Sequence, residues 1–178
     1  CRQGLEFGLI GQFRLDMPLK SLKVMANARY GSKYINGHLF PDRDYDQYRA
    51  FVLRNSGNDC VWTRMVDGVQ SRLADQLGTA VIHQAWRPVV VYINGQYWGH
   101  YNLRERVSEY FVAQHEGLSM DQAKSIDVLE SNGTNSSQIN NGTNAEWKAL
   151  INKVKPLSPG KNPEDLQYIL DNIDVDNY

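Results

Sequence analysis

Residues 87–106, RPVVVYINGQYWGHYNLRER, decide the fold. Val89, Val90, Val91, Tyr92 and Ile93 form an apolar, β-branched run. Asn94-Gly95 then supplies the two positive-φ residues that a two-residue type I′ turn requires. The chain returns through Tyr97, Trp98, Tyr101 and Leu103. This pattern predicts a β-hairpin in which Val91 faces Trp98 and Tyr92 faces Tyr97, cross-strand pairs that hold register. Gly99 lies inside the return strand, where it weakens pairing unless another group approaches closely. The strand empties into Arg104-Glu105-Arg106, a charged run at a sheet end.

Upstream, Val66, Val69, Leu73 and Leu77 recur at helical spacing and predict a helix over 63–77. Thr63 suits its N-cap and Gly78 its C′ stop. Gly68 inside it costs about 1 kcal/mol against alanine, which close packing on a strand would explain. Residues 5–15, 19–28 and 48–53 read as strands, with Pro18 between the first two. Leu22, Val24 and Ala26 share one face, with Lys20 at its start. Residues 31–46 are polar and turn-rich, hence a loop, and 54–59 form a tight polar turn. Downstream, Ser108 caps a short helix over 108–115 that Gly117 stops. Residues 126–129 are strand-like, 131–143 form an Asn/Gly/Ser/Thr-rich flexible loop, and 145–154 and 163–173 are helices. The order implies an α+β fold. An antiparallel sheet packs on one main helix over 1–117, and the helical start of a second lobe follows over 118–178.

Length and composition are ordinary for a globular chain: 178 residues, 42% apolar and 22% charged. A net charge of −1 with no long basic run removes the electrostatic footprint of nucleic-acid binding. No stretch approaches the length of a membrane span. Cys1 and Cys60 do not make a disulfide framework. Both ends look cut: there is no initiator Met, and Asp174 resembles the N-cap of a helix whose body lies beyond. The residues therefore read as a fragment of a larger protein. Asn132, Asn135 and Asn141 begin Asn-X-Ser/Thr triplets. These are chance in an Asn-rich loop or, only in a secreted eukaryotic protein, glycan acceptors.

His38, His83, His100 and His115 lack metal-ligand spacing, and no Cys-X-X-Cys occurs. There is no nucleophile elbow and no phosphate-binding P-loop. What remains is a set of charges at strand ends and on the helix. Lys20 and Lys23 belong to one strand; Arg54, Asn55 and Asp59 to the turn before the helix; Arg64 and Asp67 to its start; Arg104 and Glu105 to the hairpin exit. A strand lysine beside a helical acid is how a protein kinase small lobe holds nucleotide phosphates. On spacing alone, unrelated surface charges are the better reading.

Three motifs converge on one family. PLKSLKV (18–24), LRNSGND (53–59) and VYINGQYWGHYNLRE (91–105) resemble the signatures of the CotH kinase family, the spore coat protein H-like proteins, in order across about residues 11–117. The resemblance implies an atypical kinase-like fold that transfers phosphate from ATP, with Mg2+, to Ser or Thr of a protein substrate. It implies Lys20 or Lys23 on the nucleotide phosphates, Asp67 as the helical acid, and Arg104-Glu105 at the hinge. Arg54, Asn55, Asp59 and Arg64 are further candidates. The family's Ser-containing Gly loop is replaced here by Gly11-Gln12-Phe13-Arg14. Its catalytic and metal-binding aspartates belong to a segment beyond Asp174. The expectation is therefore nucleotide binding without phosphate transfer by these residues, with the parent at a bacterial cell surface or outside the cell. Alternatives are a non-catalytic coat or cell-surface module of the same fold and, from ten Tyr and four Trp, a carbohydrate-associated domain.

Overall fold

The computed structural model describes residues 4–10, 17–78, 80–131 and 137–175. The hairpin consists of β6 (Trp86–Ile93) and β7 (Gln96–Glu105). Asn94 (φ 52°) and Gly95 (φ 80°) form its turn, as a type I′ geometry demands. Tyr92 faces Tyr97, their rings edge to face with centroids 5.9 Å apart. Val91 pairs with Gly99 rather than Trp98, because a bulge at this point leaves Trp98 as the extra residue. The bulge turns the bare Cα of Gly99 (φ 155°) toward Leu19, where a Cβ would lie 2.8 Å from the leucine Cδ1.

The other strands of the main sheet are β1 (Leu5–Ile10), β2 (Ser21–Ala26) and β5 (Ala50–Arg54), and between the last two lie the short β3 (Ile35–Asn36) and β4 (Gln47–Tyr48). The sheet runs β1-β2-β5-β7-β6, every pair antiparallel. Register sorts its two faces. Leu22, Leu53 and Leu103 form a row on one, and Lys23, Val52 and Arg104 a row on the other. The first face carries the core, where Val24, Leu53, Tyr101 and Leu103 meet Ile35, Phe40 and Tyr48. The segment 31–46, expected to be only a loop, therefore supplies part of the core. Its apolar residues follow no period, so the pattern gives no sign of it. The segment is fastened by the β3–β4 ladder and by arginines that donate to its carbonyls: Arg49 to Lys33 at 2.5 Å and Arg87 to Leu39 at 3.0 Å.

The main helix, α1 (Val66–Leu77), begins three residues later than expected. The carboxylate of Asp59 accepts from the backbone N–H groups of Thr63, Met65 and Val66, and the Thr63 hydroxyl is only a longer second acceptor for Met65, at 3.3 Å. Gly78 (φ 63°) ends it in the left-handed conformation. Val66, Val69, Leu73 and Leu77 are all exposed. The helix meets the sheet through Gly68, where a Cβ would fall 2.4 Å from the Trp86 ring. Gly68→Ala should therefore destabilise the protein. Overpacking costs about 1–3 kcal/mol, which exceeds the gain of about 1 kcal/mol in helix propensity. A lowered urea midpoint at unchanged slope would show it; an unchanged or raised midpoint would refute the close contact.

Beyond the hairpin lie α2 (Glu109–His115), β8 (Val128–Ser131), β9 (Ser137–Asn141), α3 (Ala145–Val154) and α4 (Pro163–Asn172). Ser108 and Gly117 (φ 66°) bound α2 as expected. β8 overlaps the strand-like stretch expected over 126–129, and β9 pairs with it from within the region expected to be a flexible loop. Asn132 and Asn135 lie outside the described residues. The Asn141 side chain donates to the Ile126 carbonyl at 2.6 Å, so its amide is already used internally. The strand expected over 5–15 is described only to Ile10; Gly11-Gln12-Phe13-Arg14 lies outside the described residues, as does Cys1. The strand expected over 19–28 shortens to Ser21–Ala26, and that over 48–53 divides between β4 and β5. Among the described residues, Cys60 is a free, buried cysteine, and no helix is long and apolar enough to cross a membrane. The architecture is the expected α+β one: a five-stranded antiparallel sheet with four helices.

Candidate functional site

The LRNSGND segment is a scaffold of satisfied polar groups. Asn55 is buried. Its Oδ1 accepts from the Ser21 hydroxyl at 2.9 Å and from the Gly57 N–H at 3.0 Å, while its Nδ2 donates to the Leu19 carbonyl at 2.7 Å. Ser56 (φ 77°) accepts at 2.8 Å from Asn102, which is fully buried. Asn102 also accepts from the Trp86 indole N–H at 2.8 Å and donates to the Arg64 carbonyl at 3.1 Å. Buried amides so completely paired fix backbone positions. Asp59 anchors the helix start. Desolvation acts to raise its pKa, but the hydrogen bonds from Thr63, Val66 and Met65 prevail and hold it below the usual carboxylate range. Arg64 (φ 59°) folds its Nε back to the Cys60 carbonyl at 2.8 Å.

This scaffold positions two arginines around one helical acid. Asp67 on α1 accepts from Arg54 Nε on β5 and lies 3.2 Å from Arg104 Nη1 on β7. Arg104 Nη2 donates to the Ser71 hydroxyl at 3.0 Å. Its Nε is buried and, among the described residues, has no hydrogen-bond partner. Burial pushes the Arg104 pKa down, and Asp67 only partly restores it. The acid expected to orient a strand lysine is thus held by arginines. Gly57 (φ 56°) leaves room for Arg54: a Cβ there would lie 2.6 Å from Arg54 Nη2.

Beside the triad opens a cleft of about 600 Å³. Lys20, Arg54, Arg104 and Arg106 line it, with Glu109 and Glu130 as its carboxylates. Asn55 and Asn140 add amides, and Ile10 and Val52 apolar surface. Lys20 precedes β2 rather than lying in it; its Nζ donates to the Met17 carbonyl at 2.7 Å. Lys23 shares the sheet face with Arg104 but does not line the cleft. Of the expected site residues, Lys20, Arg54, Asn55 and Arg104 therefore come together. Asp67 stands behind them, and Asp59 and Arg64 serve the turn.

Glu105 does not join them. Strand alternation turns it to the opposite face, where it is 2% exposed. There it accepts from the Tyr45 hydroxyl, from Arg43 Nε at 3.2 Å and from the Ala85 N–H at 2.7 Å, with His115 Nε2 at 3.7 Å. Burial would raise its pKa, but His115, Tyr45, Ala85 and Arg43 together hold it below its ordinary value. Burial, and then the Glu105 charge, push Tyr48 up to about 12. Sequence reasoning missed Arg106, Glu109 and Glu130. The first was legible, because period-2 alternation puts Arg104 and Arg106 on one face and Glu105 on the other. Glu130 carries no such signal, since it reaches the cleft only through the β8–β9 hairpin.

No curated protein and no solved structure matches the chain. A family model described as CotH kinase protein matches residues 9–178, and with them all three motifs that build the turn, the triad and the hairpin. The chain belongs to the CotH kinase protein family.

Proposed function

We propose that the cleft binds the polyphosphate of ATP and that the chain is the nucleotide-holding part of a CotH-type protein kinase. In this reading, residues 1–117 form the small lobe and hinge, and 118–178 begin a second lobe. The observation that carries it is the convergence of Lys20, Arg54, Arg104 and Arg106 on one cleft, with the Arg104 Nε unpaired. A strand cation paired to a helical acid is the small-lobe device for positioning phosphates. Here Arg54 and Arg104 with Asp67 would play that part, with arginine in place of lysine. Phosphate oxygens suit arginine's fork of donors.

Among the described residues no three metal-ligating side chains cluster. A Mg2+ carried on nucleotide phosphates needs only one or two protein carboxylates. Glu109 and Glu130 are of the right kind, and the ion would neutralise phosphate charge. The phosphate acceptor would be Ser or Thr of a protein, in a bacterial extracellular or cell-surface setting. The second reading, a non-catalytic coat or surface module, is favoured by the exposed apolar stripe of α1; it predicts no nucleotide binding.

Calorimetric titration with Mg-ATP separates the two lysines. Lys20→Ala should weaken binding about tenfold or more, the worth of a charge-assisted hydrogen bond. Lys23→Ala should leave it unchanged. Equal affinities in both variants and wild type would remove the lysine from the site.

A further inference from the structure

The two edges of the main sheet differ. β6 is blunted by Pro88 and Arg87 within the strand and by the bulge beside Val91, devices that block edge-to-edge pairing. β1, LEFGLI, has no proline, lysine or arginine. Among the described residues it pairs only with β2. Its apolar side chains are not hidden either: Phe7 is 64% and Leu9 61% exposed. An unprotected, apolar edge is a template for another strand.

The strand's own sequence identifies that strand. Antiparallel self-pairing must keep Leu5, Phe7 and Leu9 on one face, so its two-fold axis passes through a residue and not between residues. An axis at Glu6 would oppose two carboxylates, which is destabilising. An axis at Gly8 would centre the contact on two glycines, which give no side-chain packing. An axis at Phe7 places Phe7 against Phe7, Leu5 against Leu9 and Glu6 against Gly8, with Leu5, Phe7 and Leu9 all matched and no like charges opposed. Glu6 is, moreover, already engaged by the Asn27 amide at 2.7 Å.

We propose that the partner of β1 is β1 of a second copy, paired antiparallel about Phe7, so that two five-stranded sheets become one. The contact is isologous, and a two-fold axis normal to the sheet closes it. The cation-lined cleft reaches this edge through Leu9 and Ile10, but the pairing does not depend on nucleotide binding.

Sedimentation equilibrium on the full chain, in a Cys1→Ser background, tests it. The expected result is a reversible dimer dissociating at on the order of 10 µM. Phe7→Lys should weaken it tenfold or more with an unchanged circular dichroism spectrum, while Val90→Lys on the β6 edge leaves it intact. Register has its own readout. Opposed Cβ atoms lie about 4.5–5.5 Å apart, so Phe7→Cys should form a disulfide-linked dimer under mild oxidation and Leu9→Cys should not. A wild-type monomer throughout the micromolar range, dissociation by Val90→Lys, or equal cross-linking by Leu9→Cys would overturn the proposal.

Discussion

Glu105→Gln is expected to cost the protein about 3–5 kcal/mol at neutral pH, the penalty for breaking a buried ion pair from one side. The carboxylate is 2% exposed and Arg43, its partner, has a side chain only 11% exposed. Three donors converge on Glu105: the Tyr45 hydroxyl, Arg43 Nε and the Ala85 N–H. A glutamine offers one acceptor oxygen and turns an NH2 toward the remaining donors. Arg43 is then left charged and uncompensated. Through these bonds Glu105 ties the core-covering segment to the end of β7, and His115 at 3.7 Å adds α2, so the loss should be global. The pH dependence follows from the depressed carboxyl pKa. A group whose folded pKa lies below its unfolded value, about 4.3 for Glu, contributes stability above that unfolded value and loses it as pH falls through the folded one. Urea unfolding of wild type and Glu105→Gln should therefore show a wide gap at pH 7 that narrows as acid protonates the native carboxylate. A gap that is small at pH 7, or constant with pH, would contradict this account of Glu105.

Arg104→Met should weaken ATP binding about 10- to 100-fold, the range expected when one or two charge-assisted hydrogen bonds to phosphate are lost. Methionine keeps much of the apolar stem and removes every donor. Arg104→Lys should rescue little. A lysine is a point charge without the fork that lets one guanidinium meet Asp67, Ser71 and a phosphate together. Calorimetry reads both affinities, and melting curves in the absence of nucleotide report separately on any structural damage. If the lysine variant binds as well as wild type, the geometry of the guanidinium is irrelevant and only its charge matters.

Much of the fold was written in local signals. Asn94-Gly95 forces the hairpin, Gly78 stops the main helix, and Ser108 stands at the N-cap of α2. Long-range packing was not legible. Ile35 and Phe40 enter the core from a segment without periodicity. The regular stripe of Val66, Val69, Leu73 and Leu77 stays exposed. The helix–sheet contact rests on the absence of a side chain at Gly68. The bulge at Trp98 lies beside Gly99, which packs against Leu19, far away in sequence. The site divides in the same way. Residue types pointed to a helical acid with a strand cation, and both are present. The identity of the cation was hidden, because Arg54 and Arg104 meet Asp67 only once β5 and β7 are neighbours.

The side-chain Nε–H resonance of Arg104, identified by its absence from the spectrum of Arg104→Met, gives the most direct test. This resonance is expected to shift on saturation with Mg-ATP, as phosphate charge arrives beside the Arg104 guanidinium, and to stay in place with adenosine. A resonance unmoved by Mg-ATP, or moved equally by adenosine, would contradict the assignment of this cleft to the phosphates.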